Sequence, residues 1–228
     1  MSKKNISWCI TLKNRCLPKW KHKTTGEVIE LRLLDNCLQS LAKQKTQDET
    51  WEICIADWGS DDVECVKSHI SNLLSGTGIS LSILDLGPEA TFSRGKGLNE
   101  AFALSKYDNI FFLDADMLFT GRQVIDDTYQ YVETGKVYFP ICLSYKDRDH
   151  KHSWSRRTGK GNVGIGKQLF TTKIGGWQEK YKWGGEDENI YHYFKDKQIR
   201  KSPDTFFHQW HPQEHIKTIE GFKDWELV

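Results

Sequence analysis

The apolar positions of this chain change period several times. Ser7 to Leu12 is a short apolar stretch, read as a first buried strand, and the polar turn Lys13-Asn14-Arg15 follows it. Leu31, Leu34, Leu38 and Leu41 then recur at three- and four-residue spacing, which predicts an amphipathic helix over Glu30 to Lys43. Trp51 to Ala56 reads as a second strand, ending at Asp57. Ser60 or Asp61 is placed to cap a helix from about Val63 to Leu74. Ile79 to Leu86 is a third strand closed by Gly87-Pro88, Asn99 to Leu104 lies in another helix, and Asn109 to Leu113 is a fourth strand. Strands and helices alternating in this way predict an α/β fold with a mostly parallel central sheet.

The second half is less regular. Gln123 to Glu133 reads as a helix, Val137 to Ile141 as a strand and Asn162 to Gly166 as a short strand. Tyr145 to Lys160 is dense in charge and reads as an exposed loop. Gly175-Gly176-Trp177 and Trp183-Gly184-Gly185 flank a loop whose glycines permit positive φ or close approach of a ligand. Glu186 to Lys197 is a helix with acids in its first turn, as the macrodipole favours, and Phe206 to Trp210 is a late strand.

The pattern gains chemical content at Asp114-Ala115-Asp116, which follows the fourth strand. In extended backbone, residues two apart face the same way, so the two carboxylates are expected to converge. Alone they would repel and raise each other's pKa, and a hard cation such as Mg²⁺ or Mn²⁺ removes that cost. An isolated Asp-x-Asp is more often a solvated turn, so the motif needs company. Asp57 supplies some: it too ends a strand, and parallel sheets bind ligands at the carboxyl ends of their strands.

Composition narrows the choice. The chain has 228 residues and a formal net charge of +1, which lacks the basic excess of a general nucleic-acid binder. No apolar run is long enough to span a bilayer, and the first residues carry no secretory pattern. Six cysteines lie scattered without Cys-x-x-Cys spacing, which fits buried thiols of a cytoplasmic protein. Peripheral membrane association stays open. Nine tryptophans exceed the need of so small a core, and stacking on sugars or bases is one use for the surplus.

Taken together, Asp57, Asp114-Ala115-Asp116, Trp183-Gly184-Gly185-Glu186-Asp187 and His208-Gln209-Trp210-His211 resemble GT-A glycosyltransferases. The likeness is to family 2 enzymes, and within them to the β1,4-galactosyltransferase and chondroitin polymerase type. It covers about Ile6 to Pro212. It implies a Rossmann-like, three-layer GT-A fold, a single domain over residues 1–228, with nucleotide bound by about 1–118 and acceptor by about 119–228. It further implies an inverting transfer from a UDP-sugar donor to a saccharide acceptor, with Mn²⁺ or Mg²⁺ as cofactor. Asp187 is then the catalytic base, and Glu186 orients hydroxyls. Asp57, Thr11 and Arg15 bind the nucleotide, Arg94 reaches it or its phosphates, and Trp183 and Gly185 contact the sugars from a mobile loop. Asp116 holds the metal, Asp114 holds metal or sugar, and His211 completes the shell. His208 is a further candidate ligand. Spacing of three would put His208 and His211 on opposite faces of a straight strand, so one ligand is expected rather than two.

The resemblance has departures. Lys182 stands where galactosyltransferases have glycine, and an arginine usual later in the acidic helix is replaced near His192-Tyr193. Both bear on which sugars are used. The absence of a membrane stem fits a bacterial or viral enzyme better than a Golgi one. Among alternatives, a sugar-phosphate nucleotidyltransferase should carry a glycine-rich loop after the first strand, and Thr11 to Arg15 has no glycine. A haloacid-dehalogenase-type phosphatase should carry its Asp-x-Asp early, followed by small residues rather than Met117-Leu118. An inactive, sugar-binding domain of the same fold is the non-enzymatic alternative.

Overall fold

The structure, a computed structural model, describes residues 4–155, 159–180, 185–212 and 224–228. The chain runs β1 (Lys4–Leu12), β2 (Lys19–His22), β3 (Val28–Glu30), α1 (Leu33–Ala42), β4 (Glu49–Asp57), α2 (Val66–Leu73) and β5 (Ser80–Asp85). It continues with α3 (Arg94–Ala103), β6 (Asn109–Phe112), β7 (Met117–Phe119), α4 (Gln123–Glu133), β8 (Val137–Pro140), β9 (Leu143–Tyr145) and β10 (Ser153–Ser155). Last come β11 (Val163–Gly166), α5 (Lys167–Lys173), α6 (Glu186–Tyr193), β12 (Gln198–Lys201), β13 (Phe206–His208) and β14 (Trp225–Leu227).

Seven strands form the central sheet in the order β12-β8-β11-β6-β1-β4-β5. Its pairings are parallel except at β11, which runs against both neighbours. The strands alternate their side chains between two cores, which is what buries both faces of such a sheet. Ile6, Trp8, Ile10 and Leu12 pack with Leu38 of α1, Ile70 of α2 and Ile125 of α4. Cys9, Cys54 and Phe112 pack with Leu98 of α3, Phe170 of α5 and Ile190 of α6 on the other side. Helices on both faces make the three layers, and the chain has the α/β, GT-A architecture the resemblance implied. Leu12 pairs with Asp57, so β1 and β4 end level, at the edge where the site lies.

Two smaller sheets flank the first, β10-β9-β13-β7 and β14-β2-β3. Their strands are three or four residues long, too short for a periodic signal. Several boundaries therefore differ from expectation. The helix expected from Glu30 starts at Leu33, because Val28–Glu30 is drawn into the β2–β3 hairpin. The stretch Tyr145 to Lys160 contains the β9–β10 hairpin. Neither Ser60 nor Asp61 caps α2, which begins after Cys65. Ser60 instead donates its hydroxyl to Asp57 (2.6 Å), and the Asp61 amide donates to Asn14 (3.0 Å), tying that loop to the turn after β1.

The helix expected at Asn99 begins five residues earlier, at Arg94, with the Ser93 hydroxyl accepting from the Lys96 amide (3.3 Å). Gly95 and Gly97 weaken its sequence signal, since glycine is a poor helix former. Packing explains them. A Cβ at Gly95 would lie 2.0 Å from the Gln178 carbonyl oxygen, and one at Gly97 would lie 2.0 Å from Thr11 Oγ1. The start of α3 thus rests directly on the end of β1. Gly97→Ala should lower stability by about 1–3 kcal/mol in urea unfolding, the usual cost of overpacking. Gly166→Ala, whose Cβ would meet only ordinary contacts at 3.7 Å, should cost far less.

Candidate active site

A cavity of about 850 Å³ opens beyond the carboxyl ends of the central strands. Thr11, Arg15, Arg94, Asp114, Asp116, Gly185, Glu186, Asp187, His208 and His211 all line it, so residues far apart in sequence meet there. Asp57 is not among its lining. Its carboxylate turns to the Ser60 amide and hydroxyl, and burial pushes its pKa up against those hydrogen bonds. Trp183 lies outside the described residues.

Asp114 and Asp116 do not share a partner. β6 ends at Phe112, so the pair sits in a turn and the two-residue period of a strand no longer applies. Asp114 accepts from Arg94 Nη2 (2.7 Å) and Nε (3.1 Å). Asn162 clamps it from the other side: its amide donates to Asp114 Oδ2 (3.1 Å) and its carbonyl accepts from the Asp114 amide (2.9 Å). Arg94 also reaches the Gly161 carbonyl (2.9 Å) and Glu186 (3.5 Å), and lies over the Trp177 ring at 5.4 Å. Burial pulls the Arg94 pKa down, but Asp114 and then Glu186 outweigh it and hold the guanidinium charged.

Asp116 belongs to a second cluster. His211 Nε2 lies 3.2 Å and His208 Nε2 3.5 Å from its Oδ2. The expected placement of the two histidines on opposite faces does not hold, because β13 stops at His208 and the chain turns before His211, so both rings reach Asp116. Gln209, between them, fixes that turn. Its amide nitrogen donates to the carbonyls of Leu33 (2.8 Å) and Met117 (3.2 Å), and its backbone amide donates to Asp116 (2.9 Å). Trp20 of β2 stacks on His211 at 6.4 Å.

The three side chains can each offer one ligand atom within 4.8 Å of the others, and Asp114 is not part of the group. His211 Nδ1 donates to the Pro212 carbonyl (3.0 Å), so its neutral ring presents the Nε2 lone pair to Asp116. Two acceptors then face each other, and Asp116 Oδ1 is buried without a hydrogen-bond partner. A divalent cation satisfies both conditions, and the donor set of one carboxylate and two imidazoles fits it. Burial would raise the Asp116 pKa, but the two imidazoles, when protonated, more than offset this and hold it well below the usual carboxylate range. Burial lowers that of His211, partly opposed by Asp116. Both shifts favour the deprotonated donors that a metal needs.

Asp187 faces the same cavity from the first turn of α6, its Oδ1 accepting from the Glu188 amide (3.0 Å). Gly185 precedes it at φ +90°, a left-handed conformation that glycine adopts without strain. Glu186 is buried beside Arg94. Residues 159–162, before β11, were not singled out as part of the site by the sequence. They bring in Lys160, which pairs with Glu188 and lies 4.3 Å over the Tyr191 ring, together with Gly161 and Asn162. An asparagine starting a short strand carries no signal of its own, and only the fold places it on Asp114.

The family described as glycosyl transferase family 2 matches residues 29–211. The chain belongs to this family. Family 2 membership agrees with the solved structures that share its fold. A Staphylococcus aureus TarS fragment (residues 1–349) in complex with UDP-GlcNAc aligns with TM-score 0.65 at 13% identity, over 94% of this chain and 61% of that one. The same fragment with UDP gives 0.63 at 13% identity, over 91% and 61%. The Pyrobaculum calidifontis mannosyltransferase PcManGT, in complex with GDP-Man and Mn²⁺, gives 0.61 at 11% identity, over 92% and 57%. This family 2 chain therefore spans about three fifths of the length of these relatives. No curated protein matches it significantly by sequence.

A group whose folded pKa is depressed, like Asp116, adds stability above its unfolded value, near pH 4, and loses it as pH falls towards the folded value. In chelator-treated protein, the gap in unfolding free energy between wild type and Asp116→Asn should be wider at about pH 5, where protonated imidazole can face the ionised Asp116, than at pH 3. It should narrow as pH falls below about 4 in urea titrations. A gap that stays constant to pH 3 would mean that Asp116 acts through packing rather than charge.

Proposed function

We propose that this chain is an inverting, metal-dependent glycosyltransferase. It moves a hexose or N-acetylhexosamine, with galactose or GalNAc favoured, from a UDP-sugar to a saccharide hydroxyl, in surface polysaccharide or glycan synthesis. The observation that carries this reading is one cavity holding the Asp116, His208 and His211 cluster together with Asp187. In this reading the whole chain acts as one domain, its first half on the nucleotide and its second on the acceptor.

Asp116, His208 and His211 would hold the cation, and when bound it neutralises charge on the departing diphosphate. Two imidazole donors make this a softer site than an all-oxygen Mg²⁺ site, so Mn²⁺ is the preferred ion. Asp187 takes the proton of the attacking hydroxyl, which must approach the anomeric carbon from the face opposite the leaving UDP. One displacement without a covalent intermediate inverts that carbon. Glu186, neutralised by Arg94, orients hydroxyls nearby. Thr11 and Arg15 line the nucleotide end of the cavity. Asp57 reads the uracil imide N–H, exchanging its Ser60 hydrogen bonds for it. Asp114, held by Arg94 and Asn162, orients ribose or sugar rather than metal. Trp183 and Gly185 are proposed to close over the donor.

An inactive binding domain would keep the nucleotide pocket but has no use for a positioned base. A nucleotidyltransferase would need a glycine-rich phosphate loop after β1, where Thr11 to Arg15 stands. Among the described residues no helix is long and apolar enough to cross a membrane, and the cytoplasm remains the proposed compartment.

Calorimetry should show UDP binding at least tenfold more tightly with Mn²⁺ than with EDTA, with Mg²⁺ intermediate, and Asp116→Ala should abolish the difference. Equal UDP affinity in Mn²⁺ and EDTA would remove the metal from the reading. Asp187→Asn keeps the start of α6 but cannot accept a proton. It should leave UDP and Mn²⁺ affinity nearly intact and lower turnover by roughly 10²-fold or more. Full activity would place the base elsewhere, with Glu186 the first candidate.

A further inference from the structure

Asn162 is joined to Asp114 twice. Its carbonyl accepts from the Asp114 backbone amide (2.9 Å), and its amide nitrogen donates to Asp114 Oδ2 (3.1 Å). The two bonds together fix which way the amide points. Turned over, it would set oxygen against carboxylate and NH₂ against N–H. An aspartate of the same shape would meet Oδ2 with a second negative oxygen. The placement comes from the central sheet. Val163 pairs with Phe112 in the antiparallel ladder of β11 and β6, so the residues before β11 run beside those after β6. Asn162 is buried there.

A carboxylate offers about four acceptor positions. Arg94 takes two on Asp114 Oδ1, through Nη2 (2.7 Å) and Nε (3.1 Å). Asn162 takes one on Oδ2, and among the described residues nothing else donates to that oxygen. The last position faces open space, since the Asp114 side chain is 32% exposed and lines the cavity. Gly161 keeps the approach clear. A Cβ at 161 would lie 2.9 Å from Oδ2 and 2.9 Å from Arg94 Nη2.

The neighbours say what fills this position. Asp114 stands outside the group of Asp116, His208 and His211, so the vacant lone pair suits a hydrogen-bond donor and not the cation. Arg94 runs on from Asp114 to Glu186 (3.5 Å), next to Asp187 in the first turn of α6. The carboxylate thus links the segment of Asp116 with the segment of the base. In the transfer read above, the sugar that moves must lie between the diphosphate and the base.

We propose that Asn162 is the positioning residue for the transferred sugar. It fixes Asp114 so that the remaining lone pair of Oδ2 accepts one hydroxyl of that sugar, with Gly161 leaving the approach open. Asn162 itself touches the carboxylate and not the sugar. The proposal rests on the glycosyl-transfer reading and deepens it by assigning Asp114 to the sugar and Asn162 to Asp114.

The test titrates the full chain in Mn²⁺ with UDP, UDP-galactose, UDP-GalNAc, UDP-GlcNAc and UDP-glucose by calorimetry. The best-bound UDP-sugar and UDP are then compared in wild type, Asn162→Ala, Asp114→Asn and the double variant. Asn162→Ala should bind the UDP-sugar about tenfold more weakly and UDP within about twofold of wild type. Asp114→Asn should lose at least as much, and adding Asn162→Ala to it should weaken binding by less than about twofold more, because Asn162 acts through the carboxylate alone. If Asn162→Ala does not fold, Asn162→Ser, too short to reach both partners, replaces it with the same expectations. Losses that add in the double variant overturn the proposal, since Asn162 would then act independently of Asp114. An equal fall for UDP and UDP-sugar also overturns it, by moving Asp114 to the nucleotide. So does full UDP-sugar affinity in Asn162→Ala, or a wild type whose best UDP-sugar binds no more tightly than UDP. A wild type that binds no UDP in Mn²⁺ overturns the transferase reading first, and this proposal with it.

Discussion

Arg94 carries its charge at the first turn of α3, the end of a helix where a cation is disfavoured. It is held there by Asp114, by Glu186 and by the Gly161 carbonyl, which come from three other segments of the chain. The pair is only partly buried, yet a bidentate guanidinium–carboxylate contact out of bulk water outweighs the fraction of a kcal/mol at stake in the dipole. The pairing therefore wins. Its consequence for the site is electrostatic. Without the guanidinium, Asp114, Glu186 and Asp187 would line the cavity with only Lys13, Arg15 and Lys160 to offset them. With it, the acids serve separate purposes at short range.

The same logic divides the Asp-x-Asp pair. Repulsion between two carboxylates one residue apart is avoided by giving each its own partners, an arginine and an asparagine for Asp114, two histidines for Asp116. The second cluster is also well scaffolded. Met117 begins β7 one residue after Asp116, and its pairing with His208 sets the register that brings the imidazole to the carboxylate. Gln209 then pins the turn to α1, so His211 arrives without a strand to carry it. Donors held this way lose little freedom when an ion binds.

Much of this was legible in the sequence where local pattern and tertiary role agree. Strands β1, β4 and β6 read as apolar runs because both their faces are buried, and Asp114, after β6, marks the cavity, whereas Asp57, at the end of β4, does not line it. The reading failed where packing overrides local preference. The start of α3 was hidden by two glycines that exist to let it rest on β1. The geometry at 114–116 and at 208–211 was misjudged for a shared reason: strand periodicity was extended past the residue where the strand stops. Of the four-stranded sheet beneath Asp116, His208 and His211 only β13 was legible, as the strand expected over Phe206 to Trp210; its other three-residue strands are defined by their neighbours and not by their own sequence. Asn162 shows a further limit, since nothing about an isolated asparagine tells which carboxylate it will hold.

One reversal in the central sheet has a wider consequence. Every strand but β11 delivers its carboxyl end to the rim of the crevice, and β11, running the other way, delivers its amino end. Residues 159–162 thereby join the rim although they precede their strand. The span from the end of β8 to the start of β11 enters and leaves at the same edge, with the β9–β10 hairpin between. Such a span can lengthen, shorten or exchange its tip without altering the register of any central strand. It is the part of the molecule most open to inherited change, while the Asp116, His208 and His211 cluster, Asp187 and the central sheet stay as they are.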